Sequence, residues 1–180
     1  MDIPSLLSTD ERVKLLSHIL LHPSEEIVPD RVARKAGVSK SQSHKYAGIL
    51  RKNGIVKGKA LQDTPPVRAL RALLNVERLA RANVIPLLCR RFPKAKGIGM
   101  FGSFASGTNS EDSDLDIWVK MDCEPSDLEV ARAKKELGGK LGAQVDIVVA
   151  TPQRLLRLRE KSDAFYFSLY NGRILWGEAL

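Results

Sequence analysis

Apolar residues recur at helical spacing through the first ninety positions and then gather into short runs of strand length. Val13, Leu16, Ile19 and Leu20 mark a first helix that Ser8 or Thr9 can cap and that Pro23 ends, near Leu21. A second, short helix opens at Asp30 and runs through Val32, Ala33 and Ala36. Gly37 supplies a turn, Ser39 caps again, and a third helix continues through Tyr46, Ala47 and Leu50 to Asn53-Gly54. Residues 55–59 read as a short strand, with Lys57, Gly58 and Lys59 at a hairpin tip and Ala60-Leu61 as the return. Thr64-Pro65-Pro66 marks a boundary. Beyond it, residues 67–91 read as helix, with Leu70, Leu73, Leu74, Leu79, Val84, Leu87 and Leu88 apolar. Asn75 and Pro86 are its candidate breaks, and Arg68, Arg71, Arg78, Arg81, Arg90 and Arg91 form a solvated basic face.

The second half has a different rhythm: strand over 96–101, strand over 114–120, helix over 126–137 stopped by Gly138-Gly139, strand over 144–150, helix from Thr151-Pro152 through Leu155, Leu156 and Leu158, and a last strand over 173–176. This order predicts an α+β fold with a small mixed sheet covered by helices on one side. Side chains alternate along a strand, so Asp114 and Asp116 share one face while Leu115, Ile117 and Val119 enter the core. Asp146 interrupts the apolar run Val145–Val149, where a charge is costly unless it is paired or coordinates a metal. If its strand pairs beside 114–120, Asp146 joins Asp114 and Asp116 in a three-carboxylate cluster.

Composition narrows the class. The 180 residues are 43% hydrophobic and 28% charged, as expected of a soluble protein of one ordinary or two small domains. No apolar run approaches membrane-spanning length, and Met1 to Ser8 lacks the basic start and apolar stretch of a secretory signal, so the expected location is the cytoplasm. Cys89 and Cys123 lie apart from each other and from the histidines, and read as reduced packing residues rather than a disulfide or zinc site. The net charge of +8 is lopsided. Residues 1–97 hold 19 Lys and Arg against 8 Asp and Glu, a net of +11, whereas residues 98–180 hold 10 against 13, a net of −3. Basic surface favours nucleic acid through phosphate neutralisation, and carboxylates serve cations.

Gly97-Ile98-Gly99-Met100-Phe101-Gly102 is a literal dinucleotide-binding fingerprint. Its glycines lie inside the apolar strand rather than after it, and Gly107-Thr108-Asn109-Ser110 cuts short the helix that should follow, so that reading is rejected. No Gly-Lys-Ser or Gly-Lys-Thr of a P-loop follows a glycine-rich turn. What remains is Gly102-Ser103, ten residues, then Asp114-Leu115-Asp116, then Asp146. Paired carboxylates on one face suit hard divalent cations, which a nucleoside triphosphate brings with it.

Two resemblances follow. Val32 to Lys40, with Leu50 to Val56, resembles the helix-turn-helix of winged-helix DNA-binding domains, in which the second helix enters the major groove. Gly102-Ser103, Asp114-x-Asp116 and Asp146 resemble the nucleotidyltransferase superfamily that includes DNA polymerase beta and the CCA-adding enzymes. The small size of residues 97–180 and the ending Ser168 to Gly177 are most similar to its minimal members from bacteria and archaea. The expected organisation is a winged helix-turn-helix domain over 1–63, a helical connector over 64–95 and a minimal nucleotidyltransferase domain over 96–180.

The second resemblance implies that Gly102 and Ser103 bind the β and γ phosphates of an NTP, with ATP the expected one. It implies that Asp114 and Asp116 hold two magnesium ions, and that Asp146 ligates the ion activating the acceptor hydroxyl and helps take its proton. Many minimal members carry Arg where this chain has Ser106, so one phosphate clamp is missing. The first resemblance implies DNA contact by Lys40, Ser41, Gln42, His44 and Lys45 on the third helix and by Lys57 and Lys59 on the wing. The acceptor site would come from the winged helix, a second subunit or a partner. Some relatives are antitoxins that adenylylate a HEPN-domain toxin, which implies a protein acceptor, and a homo-oligomer also remains open. So do two other readings, a DNA-binding regulator or antitoxin-like partner-binding protein whose transferase fold only binds nucleotide, and an interaction protein whose acidic half neutralises a basic partner.

Overall fold

The structure is a computed structural model that describes residues 1–161 and 164–180. It divides into two compact units, Met1–Leu74 and Asn75–Leu180. Among the described residues no helix is long and apolar enough to cross a membrane.

The first unit contains α1 (Ile3–Leu7), α2 (Asp10–Leu21), α3 (Pro29–Ala36), α4 (Lys40–Lys52) and a two-stranded antiparallel hairpin, β1 (Val56–Lys57) and β2 (Ala60–Leu61). The caps follow the sequence: Thr9 accepts from the Arg12 amide, Ser39 from the Gln42 amide, and Gly37 ends α3 at φ 67. The short α1 was not expected. It is held because Leu6 is fully buried and its carbonyl accepts from the Tyr46 hydroxyl at 2.9 Å, and that burial pushes the Tyr46 pKa upward. Leu15, Leu16, Leu20, Val32, Leu50 and Ile55 complete the core, and the Ile27 amide donates to Lys59 O at 2.8 Å to tie the hairpin down.

The long helix predicted over 67–91 is two helices, α5 (Pro65–Arg81) and α6 (Val84–Arg91). Neither expected break point is the break. Asn75 lies within α5, and Pro86 sits in the first turn of α6, where a missing N–H costs no intrahelical bond. The chain turns at Asn83, which adopts φ 53, a left-handed conformation that Asn tolerates better than most residues. Arg71 is also not solvated: it is buried, with its Nε donating to Leu20 O at 3.1 Å.

In the second unit β3 (Gly97–Phe101), β4 (Leu115–Lys120), β5 (Val145–Ala150) and β6 (Arg173–Gly177) form one sheet in the order β5-β4-β3-β6. β3 runs antiparallel to β4 and β6, and β5 runs parallel to β4. That parallel pair needs a crossover, supplied by α8 (Asp127–Leu141), which starts on a capping box between Ser126 and Glu129. α8 runs through Gly138-Gly139 and stops at Gly142 with φ 61, one turn later than predicted. Leu137 and Leu141 are both buried against the sheet, and that packing carries the helix across the two glycines despite their low propensity.

One face of the sheet buries Ile98, Met100, Leu115, Ile117 and Val119 beneath α6 and α8. The other face, expected to be open, is covered around Phe101, Trp118 and Leu169 by α9 (Pro152–Glu160) and α10 (Ala164–Tyr170). This second layer explains the glycine pattern of β3. A Cβ on Gly99 would overlap the Trp118 ring and lie 2.7 Å from Arg173 O, so Gly99 is empty space that the indole fills. Gly99→Ala is expected to lower the unfolding free energy by about 3 kcal/mol, the top of the overpacking range. Urea denaturation measures this, and an unchanged midpoint would show that the Trp118 side of the sheet repacks freely.

Candidate active site

β3 ends at Phe101 and the chain turns at once into the five-residue helix α7 (Gly102–Ser106). The turn requires Gly102. Its φ is +66, and a Cβ there would collide with the Asp116 carboxylate of the neighbouring strand. No side chain caps the start of α7, and Ser103, its second residue, is half-buried. Gly107 closes the helix at φ 74, and Ser103 O accepts from the Thr108 amide at 3.0 Å.

Ser106, standing where a cation was expected from the resemblance, donates its hydroxyl to Ser103 O at 3.1 Å and pairs with Thr108 Oγ1 at 2.8 Å. The same helix receives Arg173 of β6, whose Nε donates to Ala105 O at 2.8 Å.

The three aspartates meet through strand pairing. Asp116 is the register partner of Phe101 on one side and of Asp146 on the other, and Asp114 lies two residues before it. Asp116 is half-buried, and its pKa is raised, first by burial and then by the charges of Asp146 and Asp114. Asp146 is exposed rather than buried in its strand, and Lys134 of α8 lies 2.7 Å from its Oδ1. Asp114 Oδ2 accepts from Gln144 Nε2 at 3.3 Å.

Among the described residues no three Asp, Glu, His or Cys side chains already converge into a metal-holding group. Two of the three carboxylates have an oxygen engaged by another side chain, Asp146 by Lys134 and Asp114 by Gln144. The donor set itself fits a hard divalent cation: carboxylate oxygens on one sheet face, with the central one destabilised by the like charges of its neighbours.

Several residues here escaped sequence reasoning. Lys134 and Gln144 are ordinary polar residues in the sequence, and only the crossover brings them to the carboxylates. Asn75 of α5, read as a candidate helix break, is 1% exposed and donates to Phe104 O and to Asn109 Oδ1, each at 2.9 Å. In the first unit Lys40, Ser41, Gln42, His44 and Lys45 are exposed on α4, as are Lys57 and Lys59 on the hairpin. Asp30 engages two of them, Lys40 at 3.4 Å and His44 at 2.9 Å, and its own pKa is lowered by those bonds. Lys59 stands 3.8 Å from Glu26.

The nucleotidyltransferase domain family matches residues 82–170. The chain is 36% identical over 75 residues to MJ0435 of Methanocaldococcus jannaschii, named as a presumptive protein adenylyltransferase, covering 42% of this chain and 77% of the relative. It is 42% identical over 52 residues to the protein adenylyltransferase MntA of Thermococcus cleftensis, covering 29% of this chain and 52% of that one. Among solved structures it is similar to a toxin-antitoxin crystallised with AMP-PNP, at 27% identity and a TM-score of 0.42, covering 54% of this chain and 73% of the other. The chain belongs to the nucleotidyltransferase family. It is an enzyme of that class, with a nucleoside triphosphate as donor.

Proposed function

We propose that the protein moves the adenylyl group of ATP to a hydroxyl of a protein acceptor, at the site formed by Gly102, Ser103, Asp114, Asp116 and Asp146. The observation that carries this reading is the parallel register of β4 and β5, which sets Asp116 beside Asp146, with Gly102 pressed against the Asp116 carboxylate. Backbone N–H groups at the start of α7 and the Ser103 hydroxyl would bind the terminal phosphates. Asp114, Asp116 and Asp146 would hold two magnesium ions, which when bound neutralise phosphate charge and lower the pKa of the acceptor hydroxyl. The acceptor oxygen forms a bond to the α-phosphorus, the bond to the bridging oxygen breaks, pyrophosphate leaves, and the hydroxyl proton passes to Asp146. A protein acceptor is supported by the names of the two matched relatives, both given as protein adenylyltransferases, and the resemblance implies one of the HEPN type. Incubation of the protein with α-labelled ATP, magnesium and cell extract tests the reading, and absence of label on any acceptor sinks it.

Lys134 would compete with a cation for Asp146. Lys134→Ala is therefore expected to tighten manganese binding about threefold to tenfold, since it removes one positive charge at contact distance. Titration followed by electron paramagnetic resonance measures this, and weaker binding in the variant would mean that Lys134 organises the site instead.

The first unit would serve as a winged-helix module that brings the enzyme to nucleic acid, through Lys40, Ser41, Gln42, His44 and Lys45 of α4 and Lys57 and Lys59 of the hairpin. Their exposure supports this use. Duplex DNA affinity is expected to fall steeply with salt, and Lys45→Ala to reduce the logarithmic salt slope by about one. Fluorescence anisotropy over a salt series checks both, and affinity indifferent to salt would remove the module from the reading.

A further inference from the structure

We infer that Asn75 is a positioning residue for the nucleotide site, holding α7 and the loop that follows it in a fixed orientation against the carboxylates of β4. The inference rests on the function proposed above and adds a residue from outside the sequence motif. Ser103 and Asp114 stand at the two ends of one connector; the β3–β4 pairing already sets Gly102 against Asp116, and what the connector adds is the orientation of α7, with its Ser103 hydroxyl, over those carboxylates. Both amide hydrogens of Asn75 Nδ2 are spent on the connector, one on Phe104 O and one on Asn109 Oδ1, each at 2.9 Å.

Phe104 O belongs to a helix too short to satisfy its own carbonyls, so Asn75 supplies a partner that α7 cannot. Asn75 and Asn109 are 1% and 5% exposed, which keeps water from substituting easily for either bond. Asn75 Oδ1, also buried, has no hydrogen-bond partner among the described residues. A leucine of similar volume would avoid burying that oxygen, so an asparagine here is explained by its two donated bonds rather than by packing. A planar NH2 group holding two points of one connector also resists displacement in both directions.

The test uses the full chain carrying Asn75→Leu, with Asn109→Ala as a second variant in case the first does not fold. In label transfer from α-labelled ATP, the KM for ATP is expected to rise about tenfold, the scale of one lost buried hydrogen bond. Amide exchange in residues 103–113 is expected to quicken by a similar factor while β3 and β4 stay protected. A purely structural role would lower the amount of active protein and leave the KM for ATP where it was. An unchanged KM in folded variants overturns the assignment of Asn75 alone. Wild-type protein that transfers no label overturns the functional reading and this assignment with it, whatever the exchange data show.

Discussion

The protein carrying Asp114→Asn together with Asp116→Asn is expected to transfer label from α-labelled ATP at least about a thousandfold more slowly than wild type, a loss of roughly 4 kcal/mol of transition-state stabilisation. An amide keeps the shape and one acceptor oxygen but gives up the charge that would hold a divalent cation. The same protein is expected to melt no lower than wild type when no magnesium is added. Burial raises the Asp116 pKa, with Asp146 and Asp114 adding to the effect, so the fold disfavours its ionised form. For a carboxylate shifted upward, the associated stability is present at low pH and is lost as pH rises through the folded-state value. At neutral pH the ionised Asp116 therefore costs stability, and the neutral amide removes that cost. Loss of transfer with retained or higher thermal stability is the signature of a residue kept for chemistry. Equal transfer by the two proteins would remove these carboxylates from the reaction.

Gly102→Ala is expected to have the second largest effect, about a hundredfold loss of transfer, on the scale of a displaced catalytic group. Two costs combine. An alanine at φ +66 is strained by about 1–2 kcal/mol, and its Cβ would occupy the place of the Asp116 carboxylate. The carboxylate must turn away, and the turn from β3 into α7 must open. A useful control is Gly139→Ala on α8, where a Cβ meets nothing within 4 Å. That change should stabilise the fold by about 0.5–1 kcal/mol and leave transfer unchanged. Parallel measurement of urea stability and label transfer separates the two glycines, and wild-type transfer by Gly102→Ala would show that this close approach is unnecessary.

Much of this arrangement was legible in the chain because it is local. Thr9, Ser39 and Gly37 act within one helical turn of themselves, so their residue types announce the caps. The alternation over 115–119 likewise requires only that a strand form. Errors arose where packing outweighed a local preference. Gly138-Gly139 looks like a stop until Leu137 and Leu141 are seen buried against the sheet on either side of it. Asn75 looks like a break until its amide is seen on the α7 connector. Asp146 has the partner its place in an apolar strand calls for, Lys134, but at the sheet edge it is exposed rather than buried.

By itself the sequence determined the identities and order of the chemical groups: Gly102-Ser103 after a strand, two aspartates one residue apart, a third aspartate later, and a basic half preceding an acidic one. Those features depend on residue type and on periodicities of two and 3.6, which the backbone imposes on any chain. Only the tertiary structure decided that Asp116 and Asp146 are cross-strand partners, that the Asp116 carboxylate occupies the space left by Gly102, that Lys134 and Gln144 reach the carboxylates, and that Asn75 bonds to Phe104 and Asn109. Strand order and register are chosen by burial summed over the whole unit, and a one-residue slip of β4 would send Asp114 and Asp116 to the opposite face.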